Sequence, residues 1–372
     1  MSNNTTEVKN AVPLTCHGHS RPVTHISYSN SLGLQGVEDS CYMISACKDN
    51  NPMLRDGSTG DWIGTFFNHK GAVYQARLSS NASVAATASA DFTARVWDTH
   101  TGQETFTLQH NHVVRAVAFP PHVSTVVATG GVEKKLRIFD LGDPTTTPKD
   151  LNNPYHLKTL IPSLRCETSL NDLPSAGESV HLPTEAAYEV GPGVHKGTIK
   201  SIVWTQQPEY LITAAEDKVI RWWNLSDGTV LQEYNVDGEI GSVEFTNIKS
   251  EPGDIGGGAL VLTVAAGNKV HFFGGDIGHR HIKTIDLGYA VASVALHPTQ
   301  RKFVTGGIKD TWAKVHDFDS GAEIDVHKGH HGPIWSISFS PDGKLYATGS
   351  EDGTIKMWKN CEGPFGLWGR GV

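Results

Sequence analysis

Short stretches in which apolar and polar residues alternate recur along most of this chain. Residues 329–359 are the clearest example and read GHHGPIWSISFSPDGKLYATGSEDGTIKMWK. Alternation with a period of two predicts β-strands that bury one face. Here an alternating strand is followed by a turn, a second strand that ends in small residues, an aspartate, and a third strand that ends in tryptophan. The pattern therefore predicts a unit of short antiparallel strands joined by tight turns.

The same unit recurs with constant spacing between its marker residues. In three copies an aspartate follows a histidine after 22 residues, and a tryptophan follows that aspartate after 6. These copies contain His69, Asp91 and Trp97; His195, Asp217 and Trp223; and His330, Asp352 and Trp358. Two copies are degenerate: the first contains His19, Asp49 and Arg55, and the other contains His110, Glu133 and Phe139. Two further units, near residues 236–273 and 282–324, keep mainly the strand pattern.

A repeat of about 40–45 residues that is built from short strands and ends near Trp-Asp is typical of a propeller blade. The sequence therefore predicts an all-β fold, namely a seven-bladed WD-repeat β-propeller with four antiparallel strands per blade. We assign residues 12–359 to the propeller, residues 1–11 to a disordered N-terminal tail and residues 360–372 to a C-terminal tail. Seven units fill the chain and leave no room for a second domain.

Two segments depart from the simple repeat. The last unit supplies only three strands, so residues 12–16 are predicted to add its fourth strand beside residues 354–358, because an unpaired edge would otherwise face solvent. Residues 145–194 are rich in Pro, Thr, Asn and Glu and lack a sustained period. We predict that they form an inserted low-structure loop between blades three and four. The alternative is that its short apolar pieces, residues 155–161 and 188–190, dock on the flank of the propeller.

The His, Thr, Asp and Trp of each complete unit are predicted to form a buried structural network. The aspartate accepts hydrogen bonds from turn amides and from the histidine ring, the histidine contacts the threonine hydroxyl, and that hydroxyl holds the indole N–H. The members are His69, Thr87, Asp91, Trp97, His195, Thr213, Asp217, Trp223, His330, Thr348, Asp352 and Trp358. A hydroxyl in this position resembles the nucleophile of a catalytic triad, but neither an oxyanion hole nor a substrate pocket is implied. We predict no catalytic residues and no enzyme activity.

Composition narrows the remaining possibilities. The chain has 372 residues, a formal net charge of −8 and 19 histidines. The acidic balance argues against a broad phosphate-binding face, so we expect no direct nucleic-acid contact. The five cysteines include no C-x-x-C pair, which is typical of reduced thiols in cytosol or nucleus, and neither a signal peptide nor an 18-residue apolar run occurs. We therefore expect no membrane contact.

Closely spaced histidines make a metal site worth considering. Residues i and i+2 of a strand share a face, so such pairs are able to chelate. However, several of these histidines are already assigned to blade networks, and no cysteine or carboxylate cluster completes a tetrahedral set. We predict neither a metal nor a cofactor. The pairs and cluster considered are His17 and His19, His110 and His112, His279 and His281, and His327, His330 and His331.

In WD-repeat propellers, side chains at fixed positions after the blade histidine and before the blade aspartate line the narrow face. Large aromatic and charged side chains around one rim are typical of a binding surface, because Trp, Tyr and Arg dominate binding energies. The alternative for Tyr74 and Trp335 is that they fill the packing of their own strands. The predicted partner-binding residues are Lys48, Tyr74, Arg115, Lys200, Glu216, Lys309, Trp335 and Glu351, with Thr24 at the matching position of blade one.

Several segments resemble one particular family of WD-repeat proteins. They are ISACKDNNPMLRDGSTGDWIGTFF at residues 44–67, AATASADFTARVWD at residues 85–98, SPDGKLYATGSEDGTIKMW at residues 340–358 and FGLW at residues 365–368. Together they resemble the serine/threonine kinase receptor-associated protein family, also called Unrip, over nearly the whole chain. The resemblance fails at residues 150–194, where that family has only a short linker. The polar N-terminus and the glycine-rich stretch of blade five also differ.

The resemblance implies a non-catalytic scaffold in the cytoplasm, with the nucleus as a second location. Its implied partners are Gemin and Sm proteins of the survival-of-motor-neuron complex, the RNA-binding protein Unr, and receptor-kinase pathway proteins. That complex assembles small nuclear ribonucleoproteins for mRNA splicing. We favour the ribonucleoprotein role. The i subunit of translation initiation factor three is the nearest alternative family, and an adaptor with other partners is a third. An enzyme or a metal-binding propeller is the alternative from a different class.

Overall fold

The fold is known from a computed structural model, which describes residues 12–33, 40–142, 179–248, 250–275, 280–366 and 368. Seven separate antiparallel sheets of four strands form the seven blades, and one of them carries an additional strand. The predicted fold class is therefore confirmed. The predicted tail at residues 1–11 lies outside the described residues, as does His279 of the histidine pairs considered above. The same holds for residues 145–178 of the predicted inserted loop, including its apolar piece 155–161, and for residues 367 and 369–372 of the predicted C-terminal tail.

The strands follow the repeat in chain order. β1 (Leu14–Cys16) precedes blade one, which contains β2 (Val23–Tyr28), β3 (Tyr42–Cys47), β4 (Met53–Asp56) and β5 (Trp62–Thr65). Blade two contains β6 (Val73–Leu78), β7 (Val84–Ser89), β8 (Thr93–Asp98) and β9 (Glu104–Gln109). Blade three begins with β10 (Val114–Ala118), β11 (Val126–Gly131) and β12 (Leu136–Asp140), after which come β13 (Val180–Leu182), a short 3-10 helix (Thr184–Ala186) and β14 (Tyr188–Val190).

The remaining blades are regular. Blade four contains β15 (Ile199–Trp204), β16 (Tyr210–Ala215), β17 (Val219–Asn224) and β18 (Thr229–Asn235). Blade five contains β19 (Ile240–Phe245), β20 (Val261–Ala266), β21 (Lys269–Gly274) and β22 (His281–Asp286). Blade six contains β23 (Val291–His297), β24 (Lys302–Gly307), β25 (Ala313–Asp317) and β26 (Glu323–His327), and blade seven contains β27 (Ile334–Phe339), β28 (Leu345–Ser350) and β29 (Ile355–Lys359).

The second strand of each blade forms the centre of the core. Every residue of β7, β11, β20 and β28 is buried. These strands consist largely of Ala, Val, Gly, Thr and Ser, because both of their faces are covered by neighbouring blades and only small or branched side chains fit. The outermost strands behave differently, and in β18 exposed and half-buried residues alternate.

The N-terminal strand closes the ring as predicted. β1 pairs antiparallel with β29, with Leu14 opposite Met357 and Cys16 opposite Ile355. The strand is shorter than the predicted residues 12–16. Its side chains join the hydrophobic cluster shared by blades seven and one. In the C-terminal tail, the Trp368 indole Nε1 donates a hydrogen bond of 2.8 Å to the carbonyl oxygen of Val12, so the tail contacts the segment before β1 at this seam.

The prediction of a low-structure loop over residues 145–194 is wrong for its last part. β14 pairs with β12 and is the fourth strand of blade three. β13 adds to blade two as a fifth strand, parallel to β9. Three-residue strands are too short to show a period, which is why sequence patterning missed them. Their apolar side chains nevertheless pack into the cores beside blade three, where Tyr188 and Val190 contact one cluster and Leu182 another.

Neighbouring blades are linked by side-chain hydrogen bonds from their innermost strands. In blade four the Ser201 hydroxyl donates to the Val243 carbonyl, and in blade six Ser293 donates to the Ile334 carbonyl, both over 3.0 Å. These side chains stand at one level around the central channel, so they tie each blade to the next. The corresponding side chains of the other linking blades are Gln75, Ser242 and Ser336.

Candidate partner-binding face

Blade two contains the complete network predicted from the repeat. His69 Nδ1 lies 2.8 Å from the Asp91 carboxylate, and its Nε2 lies 2.7 Å from the Thr87 hydroxyl. The Trp97 indole N–H donates to the same hydroxyl over 2.9 Å. Asp91 also accepts the backbone N–H of Lys70. A neutral imidazole that donates from Nδ1 and accepts at Nε2 satisfies every one of these buried groups.

Blade seven repeats this geometry. His330 lies 3.0 Å from Asp352 and 2.7 Å from Thr348, whose hydroxyl accepts the Trp358 indole N–H over 2.9 Å. Although burial opposes ionisation of Asp91 and Asp352, hydrogen bonds from the histidine and the turn amides hold the pKa of both carboxyls well below the usual range. These carboxylates therefore stay charged and serve as turn anchors.

Blade four departs from the predicted network. Thr213 still joins His195 Nε2, at 2.9 Å, to the Trp223 indole, at 2.8 Å. However, His195 Nδ1 has no hydrogen-bond partner among the described residues, because Arg221 occupies the Asp217 carboxylate with contacts of 2.9 and 3.2 Å. Burial, assisted by the nearby Arg221 charge, lowers the pKa of His195 to about 4. The predicted histidine–aspartate bond is thus wrong for this blade.

The degenerate blades keep parts of the network. In blade one His19 bonds Asp49 and Ser45, at 3.0 and 2.8 Å. In blade three Glu133 replaces the aspartate and forms an ion pair of 2.7 Å with Arg137. Polar contacts between the loop and the turn thus persist in both blades, although the spacing or the identity of the marker residues has changed.

The three threonine hydroxyls are unsuited to nucleophilic attack. Thr87, Thr213 and Thr348 have no exposed surface, and each hydroxyl is occupied by an imidazole and an indole. A substrate carbonyl has no access to them. The arrangement is chemically a set of buried polar bonds that fixes the loops at one end of the propeller. We call that end, formed by the loops before the inner strands and the turns that carry the blade aspartates, the narrow face.

The predicted partner-binding residues converge on the narrow face. All seven inner strands contribute to the wall of one cavity of about 340 Å³ at the mouth of the central channel. Five of the side chains selected from the repeat line this mouth: Thr24, Tyr74, Arg115, Lys200 and Trp335. The structure places them together, and their role in binding remains a prediction.

The aromatic side chains at the mouth are held in place by charged neighbours. The Arg115 guanidinium lies 3.9 Å from the centre of the Tyr74 ring. The Trp335 indole N–H donates to Glu351 over 2.5 Å, and Lys48 lies 3.8 Å from the same carboxylate. Tyr74 and Trp335 are half-buried. They therefore keep part of their surface available, which favours the surface role over packing within their own strands.

The other predicted residues occupy the rim. Lys200 pairs with Glu239 at 2.7 Å, while Glu216 and Lys309 are exposed on the turns of blades four and six. Sequence reasoning missed Ile308, which is 39% exposed and lines the mouth beside Trp335. Ile308 lies in the turn of blade six, which has one residue more than the standard spacing. The prediction took the residue directly before Asp310, which is Lys309, and so did not include Ile308.

A partly buried ion cluster forms the floor of the mouth. Glu244 of blade five reaches across the channel and contacts Arg77 of blade two at 2.7 Å and His25 of blade one at 3.0 Å. Burial raises the pKa of Glu244, but Arg77 and His25 outweigh that effect and lower it to about 2. Burial also lowers the pKa of His25. The channel is thus bridged by charge, which links blade five to blades one and two.

The structure brings three possible metal ligands together in blade one. Donor atoms of His19, Cys47 and Asp49 lie within 4.8 Å of one another. Each already has hydrogen-bond partners, and Cys47 occupies the position that Ser89 holds in blade two, with its thiol bonded to a loop carbonyl. Burial raises the pKa of Cys47 to about 12, so its thiol stays protonated. The sequence analysis had not anticipated this cluster.

The described part of the chain contains no helix with the length and hydropathy that crossing a bilayer requires.

Comparison with known proteins agrees with this architecture. A family model described as WD domain, G-beta repeat, matches residues 60–98, 102–140, 193–224 and 321–359. These matches fall on blades one to four, six and seven and miss blade five, which lacks both marker residues.

Full-length relatives define the family. The chain is 36% identical to serine-threonine kinase receptor-associated protein of Bos taurus, over 96% of this chain and 85% of that protein. It is 38% identical to the protein of the same name from Dictyostelium discoideum, over 93% and 98%. Eukaryotic translation initiation factor 3 subunit I of Nematostella vectensis is 25% identical over 93% and 95%. The chain belongs to the serine-threonine kinase receptor-associated protein family of WD-repeat propellers.

Proposed function

We propose that this protein is a scaffold that binds protein partners through the mouth of its narrow face. The observation that carries the proposal is the pair of half-buried aromatics, Tyr74 and Trp335, held by Arg115 and Glu351 around one cavity. Aromatic and arginine side chains contribute most to the energy of protein interfaces. Side chains fixed before binding lose little conformational freedom when a partner arrives.

We further propose that the scaffold serves in the assembly of small nuclear ribonucleoproteins, as part of a complex of the survival-of-motor-neuron type. The support is family membership together with the sequence resemblance of residues 44–67 and 365–368. Gemin and Sm proteins are the proposed partners, the RNA-binding protein Unr is another, and the cytoplasm is the proposed location, with the nucleus second. The name of the relatives also supports partners from a receptor-kinase pathway.

The alternative is a subunit of translation initiation factor three. Its support is the 25% identity to subunit I over most of both chains. Affinity capture of the full chain from its native cells, followed by mass spectrometry, separates the candidates. Recovery of Gemin and Sm proteins supports the ribonucleoprotein role, whereas recovery of initiation factor three subunits supports the alternative.

Combining Trp335→Ala with Arg115→Ala tests the site itself. We expect the double variant to capture its partners at least about tenfold less well, equivalent to about 1.4 kcal/mol, because both changes remove surface at the mouth. Its melting temperature should stay close to that of the wild type. Trp62→Ala is a matched control, since Trp62 is 60% exposed on the outer strand of blade one, away from the narrow face. Undiminished capture by the folded double variant would move the site to the flank or to the tail at residues 365–368.

A further inference from the structure

One turn position on the narrow face carries unusual residues in three adjacent blades. The residue that follows the blade aspartate or glutamate has a positive φ in blades one, two, three, four and seven. In blades one and seven it is Asn50 or Gly353, which are residue types that adopt this conformation readily. In blades two, three and four it is Phe92 (φ 67°), Lys134 (φ 63°) and Lys218 (φ 63°).

The three bulky residues gain no burial in return for this conformation. Phe92 is 41% exposed, and Lys134 and Lys218 are exposed. A left-handed backbone costs an ordinary residue about 1 kcal/mol. Backbone strain that is not offset by packing occurs at binding sites, where the position of a side chain matters more than its contribution to stability. The same arc of the face therefore has a second role besides closing its turns.

The arc also carries several cations outside ion pairs. Among the described residues, Lys70, Lys134 and Lys218 form no ion pair, and Arg115 contacts only the Tyr74 ring. The charge of Lys218 acts on Asp237 and Glu239, but those carboxylates are already paired with Lys269 and Lys200. The buried carboxylates of these blades are already engaged, Asp91 by His69 and Glu133 by Arg137. On the other side of the face, lysines are neutralised in the pairs Lys269–Asp237, Lys314–Asp310 and Lys48–Glu351.

An apolar contact accompanies the charges. The Phe92 ring lies 5.3 Å from the ring of His112, which is exposed in the adjoining loop of blade three. The pair presents an aromatic surface at the junction with blade three, the blade that also carries Arg115 and Lys134. A ligand that matches this arc needs negative charge and at least one apolar side chain.

We propose that the narrow face of blades two, three and four is the docking site for an acidic peptide segment of a partner protein, with an apolar residue that packs on Phe92 and His112. The inference deepens the proposed scaffold function and rests on it. Charge complementarity identifies the occupant. A nucleic acid fits less well, because its continuous line of phosphates would meet Glu216 and Glu239, which are exposed on the same face, whereas a short peptide brings only a few carboxylates.

Binding of defined probes tests the inference. The probes are a fluorescent peptide of Glu-Glu-Leu repeats, a Lys-Lys-Leu peptide of equal length and an oligouridine, each titrated against the full chain at low and high salt. We expect the acidic peptide to bind, with an affinity that falls as salt rises, and the basic peptide not to bind. Tighter binding of the oligouridine than of the acidic peptide would overturn the inference in favour of a nucleic acid.

Phe92→Gly separates binding from stability. Glycine relieves the left-handed strain, so the melting temperature should stay the same or rise, while affinity for the acidic peptide falls several-fold. His122→Gly is the matched control, because His122 is exposed with a φ of 64° in a turn at the opposite end of blade three. It should relieve the same strain and leave the affinity unchanged. Equal loss of affinity in both variants would contradict the proposal.

Charge reversal completes the test. Lys134→Glu with Lys218→Glu should weaken the acidic peptide about tenfold or more, whereas Arg280→Glu, on an exposed turn at the other end of blade five, should have no effect. Unchanged affinity of the double variant would overturn the inference. Capture of native partners by the same variants keeps the two proposals apart. If the charge-reversed chain retains those partners and the Trp335→Ala, Arg115→Ala chain loses them, the scaffold function stands and this inference fails.

Discussion

Blade two and blade five have the same strand pattern but are held together by different forces. In blade two Thr87 lies opposite Arg95 in the neighbouring strand, and its hydroxyl joins a histidine to a tryptophan. In blade five the position is Val264, opposite His271, so the central hydroxyl is lost. Asn268 stands where blade two has Asp91, and it is exposed. Blade five thus lacks the network at each of these positions.

Apolar contacts take the place of the network in blade five. Phe272 and Phe273 are completely buried. The Phe273 ring meets Tyr234 at 4.9 Å, and Phe272 meets Phe318 of blade six at 5.0 Å. Replacing buried polar groups by well-packed apolar ones often leaves stability unchanged. The comparison indicates that the fold requires strand register and a filled core, and that the polar network is one of two ways to supply them.

Blade six is an intermediate case. The Tyr289 hydroxyl lies 2.6 Å from Thr305 and 3.0 Å from His316, which occupies the position of the tryptophan. Thr305 and His316 are 3.2 Å apart. The threonine hydroxyl thus keeps its central place while both aromatic partners change. A buried hydroxyl, once present, must be satisfied, and different side chains are able to do this.

Acid should destabilise the propeller more than any single substitution. Burial lowers the pKa of His110 to about 3 and those of His195, His271 and His297 to about 4. Because the unfolded chain binds these protons near pH 6.5, stability is complete above that pH and decreases towards pH 4. Only the pH unit below 6.5 contributes, at about 1.4 kcal/mol per histidine, so the four histidines should together cost about 5 kcal/mol between pH 7.5 and 5.5.

Urea unfolding at a series of pH values measures this loss. The low pKa values of Asp91 and Asp352 mean that the networks of blades two and seven keep their carboxylates charged throughout this range. His271→Gln, in blade five, should remove about a quarter of the pH dependence. A free energy of unfolding that stays constant from pH 7.5 to 5.5 would show that these histidines are hydrated in the fold.

Asp91→Asn should be the most damaging single change in blade two. It leaves an amide N–H₂ facing the donors of His69 and Lys70, and breaking a buried charged interaction costs about 3 kcal/mol. Thermal or urea unfolding measures the loss. Asn268→Ala is the matched control in blade five and should change the free energy of unfolding by less than about 0.5 kcal/mol. Similar effects at both sites would contradict the division between polar and apolar blades.

The sequence was sufficient for the repeat itself, because strand alternation survives in every blade and the exact spacing of the marker residues survives in three. It predicted the ring closure by β1 and the position of Tyr74 and Trp335 at the channel mouth. β13 and β14 were missed, since three-residue strands have no detectable period. The arrangement of blade four was also missed. Arg95, Arg137 and Arg221 occupy the same position in blades two, three and four, but Arg95 pairs with Glu104 of the outer strand, whereas Arg137 and Arg221 pair with the carboxylate of the turn. The sequence does not show which carboxylate each arginine reaches.

Contacts across the channel lie beyond sequence patterning for a different reason. Glu244 meets His25 and Arg77 from positions more than one hundred and fifty residues away in the chain. No local period relates these residues, and each alone resembles a solvated charge in a strand. Closure of the ring brings them together, so their pairing follows from the fold as a whole.

The residue at the centre of the second strand is threonine in the blades with a polar network and valine in blade five. Exchanging the two residue types should lower the free energy of unfolding in either kind of blade. Thr348→Val leaves the Trp358 indole N–H and the His330 Nε2 without a partner and should cost about 2 kcal/mol. Val264→Thr buries a hydroxyl among Leu262, Phe273 and other apolar side chains and should cost about 1–2 kcal/mol. Equilibrium unfolding in urea measures both. A neutral result for Thr348→Val would mean that the network adds nothing beyond packing.

The smallest effect concerns the single bond that distinguishes blade two from blade four. A double-mutant cycle of His69→Asn with Asp91→Asn should give a coupling energy of about 1.5 kcal/mol, because the imidazole N–H donates directly to a charged acceptor. The same cycle with His195→Asn and Asp217→Asn should give nearly zero, because Arg221 occupies that carboxylate. The wild type and its six variants can be compared by urea unfolding at pH 7.5, where the buried histidines are neutral. Equal coupling in the two blades would show that Arg221 yields Asp217 to His195 in solution, and blade four would then join the complete networks of blades two and seven.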